Sequence, residues 1–133
     1  MSSVPDALRR FLELYGAGRF WDSHEALEDE WRRTGSDFFQ GLILYASAWV
    51  HWERENAHGV QAQLRKTLER LEAYPDAYLG LDVAALREHS REVREEVAQS
   101  TGDWPERIAP LPLVVSRERL RGDEVELGRP IGD

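Results

Sequence analysis

The segment from Phe38 to Trp52 places the strongest constraint on what this chain can fold into. When it is plotted at the ~100° per residue of an α-helix, apolar side chains cover most of the circumference. These side chains are Phe38, Phe39, Leu42, Ile43, Tyr45, Ala46, Trp49, Val50 and Trp52. Because a helix that is apolar on nearly all sides must be covered by neighbours on several sides, the sequence predicts a helical bundle with this helix at its centre.

Helical spacing of apolar residues extends over the first hundred residues, with capping residues and glycines between the helical segments. The predicted helices run from Pro5 to about residue 17, from Phe20 to about residue 33, from a cap at Ser36 or Asp37 to about residue 55, from Asn56 to a point before Pro75, and from a cap at Asp82 onward. No alternating strand pattern occurs before residue 100. The predicted fold class is therefore all-α, a compact bundle of about five helices.

The chain changes character after residue 100. Pro105, Pro110 and Pro112 exclude a regular helix through this region, yet the residues between and after them are strongly apolar. We therefore expect a bundle domain over residues 1–100. Residues 101–133 should form an extended, proline-rich segment packed on the bundle, and the polar end of this segment should be loosely held.

Composition and charge limit the partners. Among 133 residues, 17 Lys and Arg stand against 25 Asp and Glu, so the net charge is −8, which argues against nucleic acid. There is no cysteine, and therefore no disulfide framework or thiolate ligand. The longest apolar stretch, residues 41–50, is about half the ~20 residues that a membrane span needs. We expect a cytoplasmic protein without nucleic-acid or membrane partners.

The most suggestive polar residues lie on the second predicted helix. His24 and Glu28 fall inside its apolar arc, where an unpaired polar group would be costly. The third helix keeps one narrow polar strip that includes Gln40 and His51, which are close to three whole turns apart. We predict a single cluster of His24, Glu28, Gln40 and His51, with Glu25 at its edge.

Two interpretations of this cluster remain open. His24, Glu28 and His51 could bind a divalent metal such as zinc, with Glu25 as a general base placed as in His-Glu-x-x-His hydrolases. The motif match is imperfect, because Glu28 stands where that motif has its second histidine. Alternatively, the cluster is a buried hydrogen-bond network that holds two helices in register.

Two other features lead to expectations. His58 and His89 are expected on the surface, since each lies where a polar residue is commonplace in a helix. The apolar side chains around the third helix form what we call its apolar girdle. Trp49 and Trp52 widen this girdle beyond what the neighbouring helices of a small bundle cover. Homo-oligomerisation is therefore a hypothesis for this chain.

The polar positions also form a pattern that resembles a known family. Residues 20–28 read FWDSHEALE and are followed by Trp31; residues 39–43 read FQGLI and are followed by His51. Together with Asn56, Gly59, Leu64 and Gly80-Leu81, these blocks resemble domain-of-unknown-function family 309. The resemblance covers roughly residues 8–97. The resemblance implies a small all-helical protein whose recurrent polar positions fall on His24, Glu25, Glu28, Gln40, His51 and Asn56.

Two positions depart from the family pattern. Asp22-Ser23 stands where a Glu-Ala pair is more usual, and Leu44 stands where Gln is common, so the polar strip is thinner here. Two classes of function follow. The first is a non-enzymatic binding or assembly module, with its small-molecule ligand unidentified. The alternative is a metal-dependent hydrolase or related enzyme that uses His24, Glu28 and His51 as ligands and Glu25 as base.

Overall fold

The computed structural model describes residues 4–116 of the chain. Within them, five long helices, one short helix and a small hairpin follow in the order α1 (Asp6–Gly16), α2 (Phe20–Thr34), α3 (Asp37–Glu53), α4 (Ala57–Leu71), β1 (Ala77–Tyr78), β2 (Leu81–Asp82), α5 (Val83–Gln99) and α6 (Trp104–Arg107). The predicted all-α bundle is confirmed.

The helices begin where the sequence supplies caps. The Ser36 hydroxyl accepts a hydrogen bond from the Phe39 N–H, the Asn56 side chain from the Gly59 N–H, and the Asp82 carboxylate from the Ala85 N–H. Such caps satisfy backbone N–H groups that have no partner inside the helix. The predicted starts of α3, α4 and α5 are therefore confirmed within a residue.

The central position of α3 is also confirmed. This helix packs against both α2 and α4, while α1 packs on α2 and α5 packs on α4. Its apolar girdle is buried, and Trp49 is fully shielded from solvent. Trp52 is half-buried, and its indole N–H donates to the Pro105 carbonyl at 2.9 Å. The expectation that both tryptophans exceed what the bundle covers is therefore wrong for Trp49, whereas Trp52 is covered in part.

One element was not expected from the sequence. Residues 77–82 form a two-residue antiparallel hairpin in which Ala77 pairs with Asp82 and Tyr78 pairs with Leu81. Both turn residues, Leu79 and Gly80, have positive φ angles, of 48° and 83°. This is the backbone twist that two-residue hairpin turns favour. The strand is too short to leave an alternating pattern in the sequence.

The C-terminal part of the described chain is extended and lies against the bundle. After the single turn of α6, which accommodates Pro105 in its first turn, residues 108–116 contain no helix. Ile108 is buried, and Leu111, Leu113 and Val115 pack against the core. We call residues 108–116 the strap. The expected loose end, residues 122–133, lies outside the described residues.

None of the helices in residues 4–116 combines the length and the apolar character that crossing a membrane requires.

Candidate functional site

The residues predicted to form one cluster lie on α2 and α3, between the buried and the exposed sides of each helix. On α2, Phe20, Ser23 and Leu27 are buried. His24 and Glu28 are half-buried beside them, and Glu25 is exposed, as expected for an edge residue. The placement of His24 and Glu28 near the core follows from their spacing relative to the buried positions.

His24 is the most unusual of these side chains. Its Nδ1 atom is shielded from solvent and has no hydrogen-bond partner among the described residues. Its imidazole ring stacks on the indole of Trp21, with ring centroids 5.3 Å apart and planes 17° from parallel. That indole is 54% exposed, so a large aromatic surface faces solvent directly above a polar group without a partner.

Glu28 finds its partner on its own helix. One carboxylate oxygen lies 2.5 Å from an Arg32 guanidinium nitrogen, one turn further along. The Glu28 side chain is 27% exposed and that of Arg32 is 59% exposed, so this is a surface ion pair that contributes little to stability. The pair directs the carboxylate along α2.

On α3 the predicted polar strip is present. Gln40, Leu44, Ser47 and His51 are half-buried on a helix that is otherwise almost entirely in the core. The Asn56 amide lies 3.1 Å from His51 Nδ1, and it acts as the donor because its oxygen caps α4. Burial lowers the pKa of His51, and the nearby charge of Arg54 adds to that effect. His51 therefore lies in the last turn of α3, and its side chain is bonded to the residue that caps α4.

The predicted cluster is not assembled as a hydrogen-bonded unit. Among residues 4–116, no hydrogen bond joins any two of His24, Glu28, Gln40 and His51. Within the same residues, no group of three His, Asp or Glu side chains is placed to hold a metal ion. The proposed zinc ligands His24, Glu28 and His51 do not form such a group in these residues; Glu28 pairs with Arg32, and His51 pairs with Asn56.

The two departures from the family pattern have structural counterparts. Ser23 is fully buried, and its hydroxyl donates to the Phe20 carbonyl at 2.7 Å. The Asp22 carboxylate lies 2.7 Å from an Arg19 guanidinium nitrogen at the start of α2. Both side chains are thus satisfied locally, and neither is directed toward the polar strip of α3.

A second polar network lies where the sequence did not predict one. The Tyr15 hydroxyl donates to the Leu111 carbonyl at 2.7 Å, and the Leu111 N–H donates to the Tyr45 hydroxyl at 3.1 Å. The Tyr45 hydroxyl also lies 2.9 Å from His89 Nδ1. We call Tyr15, Tyr45, His89 and the Leu111 backbone the tyrosine network. It joins α1, α3 and α5 to the strap.

Burial controls the protonation of this network. Burial raises the pKa of Tyr15, with a further contribution from Tyr45, and burial also raises the pKa of Tyr45 itself. Burial lowers the pKa of His89, against an opposing interaction with the Ala109 backbone. In a neutral imidazole that carries its proton on Nε2, Nδ1 accepts the hydrogen bond that the Tyr45 hydroxyl donates.

The two remaining histidines differ from each other in their surroundings. His58 is exposed, which confirms the expectation for it. The same expectation was wrong for His89, which is half-buried and faces the rings of Tyr45 and Trp49. The sequence signal that could have found it is the pair of tyrosines at buried helix positions, since each buried hydroxyl requires a partner.

These features define the class of protein: a small helical bundle with half-buried polar side chains on its second and third helices. Residues 8–62 match the model of a family described as a domain of unknown function, DUF309. This match confirms the resemblance to that family expected from the sequence, over residues 8–62. The match ends before α5 and the strap, short of the residue 97 that we expected. No curated protein matches the sequence.

Proposed function

We propose that this protein is a non-enzymatic binding module that docks a positively charged segment of a protein partner. The docking surface is the face of α2 that carries Trp21, His24, Glu25 and Glu28, which we call the α2 face. The observation that carries the proposal is the exposed indole of Trp21, stacked on an imidazole whose Nδ1 has no partner.

The indole is suited to be an anchor for a partner. Trp21 and Val114 are the large apolar side chains that remain exposed within residues 4–116. Tryptophan is enriched among the residues that contribute most to binding at protein interfaces. Because the indole already rests on His24, less side-chain entropy is lost when a partner covers it.

The charges beside the indole favour a cationic partner. Glu25 lies one turn along the helix from Trp21, and Asp29 lies one turn further; both side chains are exposed. Neither forms an ion pair within the part of the chain that the structure describes. A guanidinium or ammonium group over an indole gains a cation–π interaction, and adjacent carboxylates can accept its hydrogen bonds. The net charge of −8 attracts the same kind of partner over longer distances.

Binding is favoured over catalysis by the surroundings of the proposed base. Glu25 is exposed, and no grouped set of metal ligands stands beside it in residues 4–116. A general base is normally held within hydrogen-bond reach of a substrate in a shaped pocket. The α2 face instead presents one aromatic surface and separate carboxylates, an arrangement that recognises charge.

The test follows the five indole N–H signals of 15N-labelled protein by NMR while a hexa-arginine peptide is added. The Trp21→Phe variant assigns the Trp21 signal by its loss. We expect this signal to move most, and salt to weaken the binding. Because an exposed cation–π contact is worth ~0.5–1 kcal/mol, Trp21→Ala should raise the dissociation constant about two- to fivefold.

The matched control is Glu13→Gln, which removes an exposed carboxylate from α1 and should change the affinity less than Glu25→Gln does. Equal effects of the two changes, or a Trp21 signal that does not move, would overturn the proposal. So would a dimer in sedimentation that Trp21→Ala dissociates, because the α2 face would then be covered by a second copy.

A further inference from the structure

A groove between α4 and α5 gathers arginine side chains on a molecule that is acidic as a whole. Four arginines and two glutamates line it, namely Arg65, Arg87, Arg91, Arg94, Glu69 and Glu72. Asp76 and Glu88 at its edge pair with Arg87 and Arg91, and Glu69 pairs with Arg65, so Arg94 is the lining arginine without an ion pair among the described residues. The groove has a volume of about 380 Å³, enough for a small ligand. We call it the α4–α5 groove.

We propose that the α4–α5 groove binds a small multivalent oxyanion of the diphosphate type. This site is separate from the α2 face and goes beyond the function proposed above. The geometry that supports it is a guanidinium held in position by an uncharged partner, with further arginines around it.

Arg94 is that guanidinium. Its Nε donates to the Gln61 side-chain oxygen at 3.2 Å, and the Gln61 amide donates in return to the Arg94 carbonyl at 2.9 Å. This reciprocal pair fixes the side chain of α5 against α4. The two terminal nitrogens of Arg94 have no hydrogen-bond partner, and its charge has no carboxylate partner, within residues 4–116. Four N–H donors are thus available to an oxyanion.

Arg87 supplies a fixed positive charge in the same groove. Its side chain is only 14% exposed, because its guanidinium donates to the carbonyls of Leu71 and Tyr74 and to the Asp76 carboxylate. Most of its donors are occupied by these partners. Its contribution to a ligand is therefore electrostatic, and it cannot swing away into solvent as a surface arginine can.

Arg65 and Arg91 can turn toward a ligand. Arg65 lies 2.9 Å from Glu69 and Arg91 lies 3.9 Å from Glu88, and both arginines are largely exposed. Such surface pairs contribute little, so an anion with two negative groups can replace the carboxylates. Arginine is also the side chain best shaped for two parallel hydrogen bonds to a phosphate.

The pattern can be traced to the sequence. Arg87, Arg91 and Arg94 follow the i, i+4, i+7 spacing of one helix face, which α5 turns toward α4. On α4, Glu69 lies one turn from Arg65, and Glu72 follows directly after the helix. Like charges one turn apart on a helix repel each other, and a bound anion would reduce the repulsion between Arg91 and its neighbours on α5.

The experiment titrates the folded protein with sodium pyrophosphate by isothermal calorimetry. We expect saturable binding, and we expect Arg94→Gln to weaken it about tenfold, since its hydrogen bonds to the ligand are charge-assisted. Arg10→Gln, which removes an exposed arginine from α1, is the matched control and should leave the affinity within about twofold of the original.

Two further variants guard against a loss of fold. Arg91→Gln changes an exposed side chain and should weaken binding several-fold without lowering the melting temperature. Gln61→Leu keeps every arginine but releases the Arg94 anchor; it should weaken pyrophosphate binding while the far-UV circular dichroism is retained.

Three outcomes would overturn the proposal. The first is the absence of saturable binding to pyrophosphate, and the second is an Arg94→Gln affinity equal to that of Arg10→Gln. The third is tighter binding of a single-stranded oligonucleotide than of pyrophosphate, with an affinity that grows with strand length, because the groove would then be part of a nucleic-acid surface.

Discussion

Gly59 shows how a single residue holds the polar turn between α3 and α4 in place. A Cβ atom at this position would lie 2.3 Å from His51 Nδ1 and 2.8 Å from the Asn56 amide nitrogen. Real Cβ atoms do not approach other atoms this closely, so only glycine allows the imidazole to rest on the first turn of α4. The hydrogen bond between His51 and Asn56 depends on this close approach.

For this position we predict that Gly59→Ala destabilises the protein by about 1–3 kcal/mol. The added methyl group must displace His51 and break its hydrogen bond to Asn56. Urea unfolding measures the loss. Gly16→Ala is the control, because a Cβ at Gly16 meets nothing within 4 Å. Equal stability of the two variants would contradict this account.

Among the elements, the strap depends on the tyrosine network. Its Leu111 backbone is bonded on both sides, by Tyr15 at the carbonyl and by Tyr45 at the N–H. A further bond runs from the Ser116 N–H to the Gly80 carbonyl at the hairpin. His89 is the partner of the Tyr45 hydroxyl, so the protonation of one imidazole affects how the strap is held.

We therefore predict that the folding stability of the protein depends on pH through His89. The ordinary pKa of histidine is 6.5, and burial lowers the pKa of His89 in the folded protein. The unfolded chain therefore takes up the proton first. The stabilising contribution of neutral His89 is fully present above about pH 6.5 and is lost as the pH falls through the lower pKa of the folded state.

The measurement is urea unfolding at about pH 7.5 and about pH 5 for the original protein, for His89→Gln and for the exposed control His58→Gln. Other groups also titrate in this range, among them His51, whose pKa burial also lowers. The difference between proteins therefore isolates His89. His89→Gln should lose less stability on acidification than the original protein does. If His89→Gln and His58→Gln responded alike, His89 would not couple to the strap.

The same elements show what the sequence can and cannot predict. The bounds of α3, α4 and α5 follow from Ser36, Asn56 and Asp82, because a cap acts on the N–H groups of the next turn and is visible locally. The bond between Tyr45 and His89 spans 44 residues, and that between Tyr45 and Leu111 spans 66. Periodicity shows only that a side chain faces inward and not which side chain it meets.

The candidate site was predicted in part for the same reason. Helical spacing correctly placed His24 and Glu28 beside the core of α2, and Gln40 and His51 on a half-buried strip of α3. It did not show that Glu28 would pair with Arg32 one turn away. This ion pair already supplies the carboxylate with a partner on its own helix. Glu28 and His51 both have partners close to them in the sequence, which periodicity does not reveal.

For the whole molecule, the relevant quantity is how much of the apolar girdle of α3 the chain covers. Trp49 is fully buried, and Trp52 donates to the Pro105 carbonyl just before the strap. The segment after residue 100 thus covers part of the apolar surface that led us to consider a second copy of the chain. The hypothesis of homo-oligomerisation thus loses part of its basis, and the α2 face is one exposed surface of the described residues on which it can be tested.

We accordingly predict that the protein sediments as a monomer of 15.3 kDa at micromolar concentration. Sedimentation equilibrium over a wide range of concentrations measures this mass directly. A mass that doubles as the concentration rises would contradict the prediction. If the mass of the Trp21→Ala variant also doubled, the contact between copies would lie outside the α2 face.

The position of the Tyr45 hydroxyl has a consequence for how the molecule comes apart. This one hydroxyl accepts a hydrogen bond from the strap and donates one to His89 on α5, so neither contact can open without disturbing the other. The strap should therefore not peel away as an independent tail. Hydrogen exchange of the Leu111 amide should match that of the slowest amides in the central helix, as expected for parts that unfold in one cooperative step.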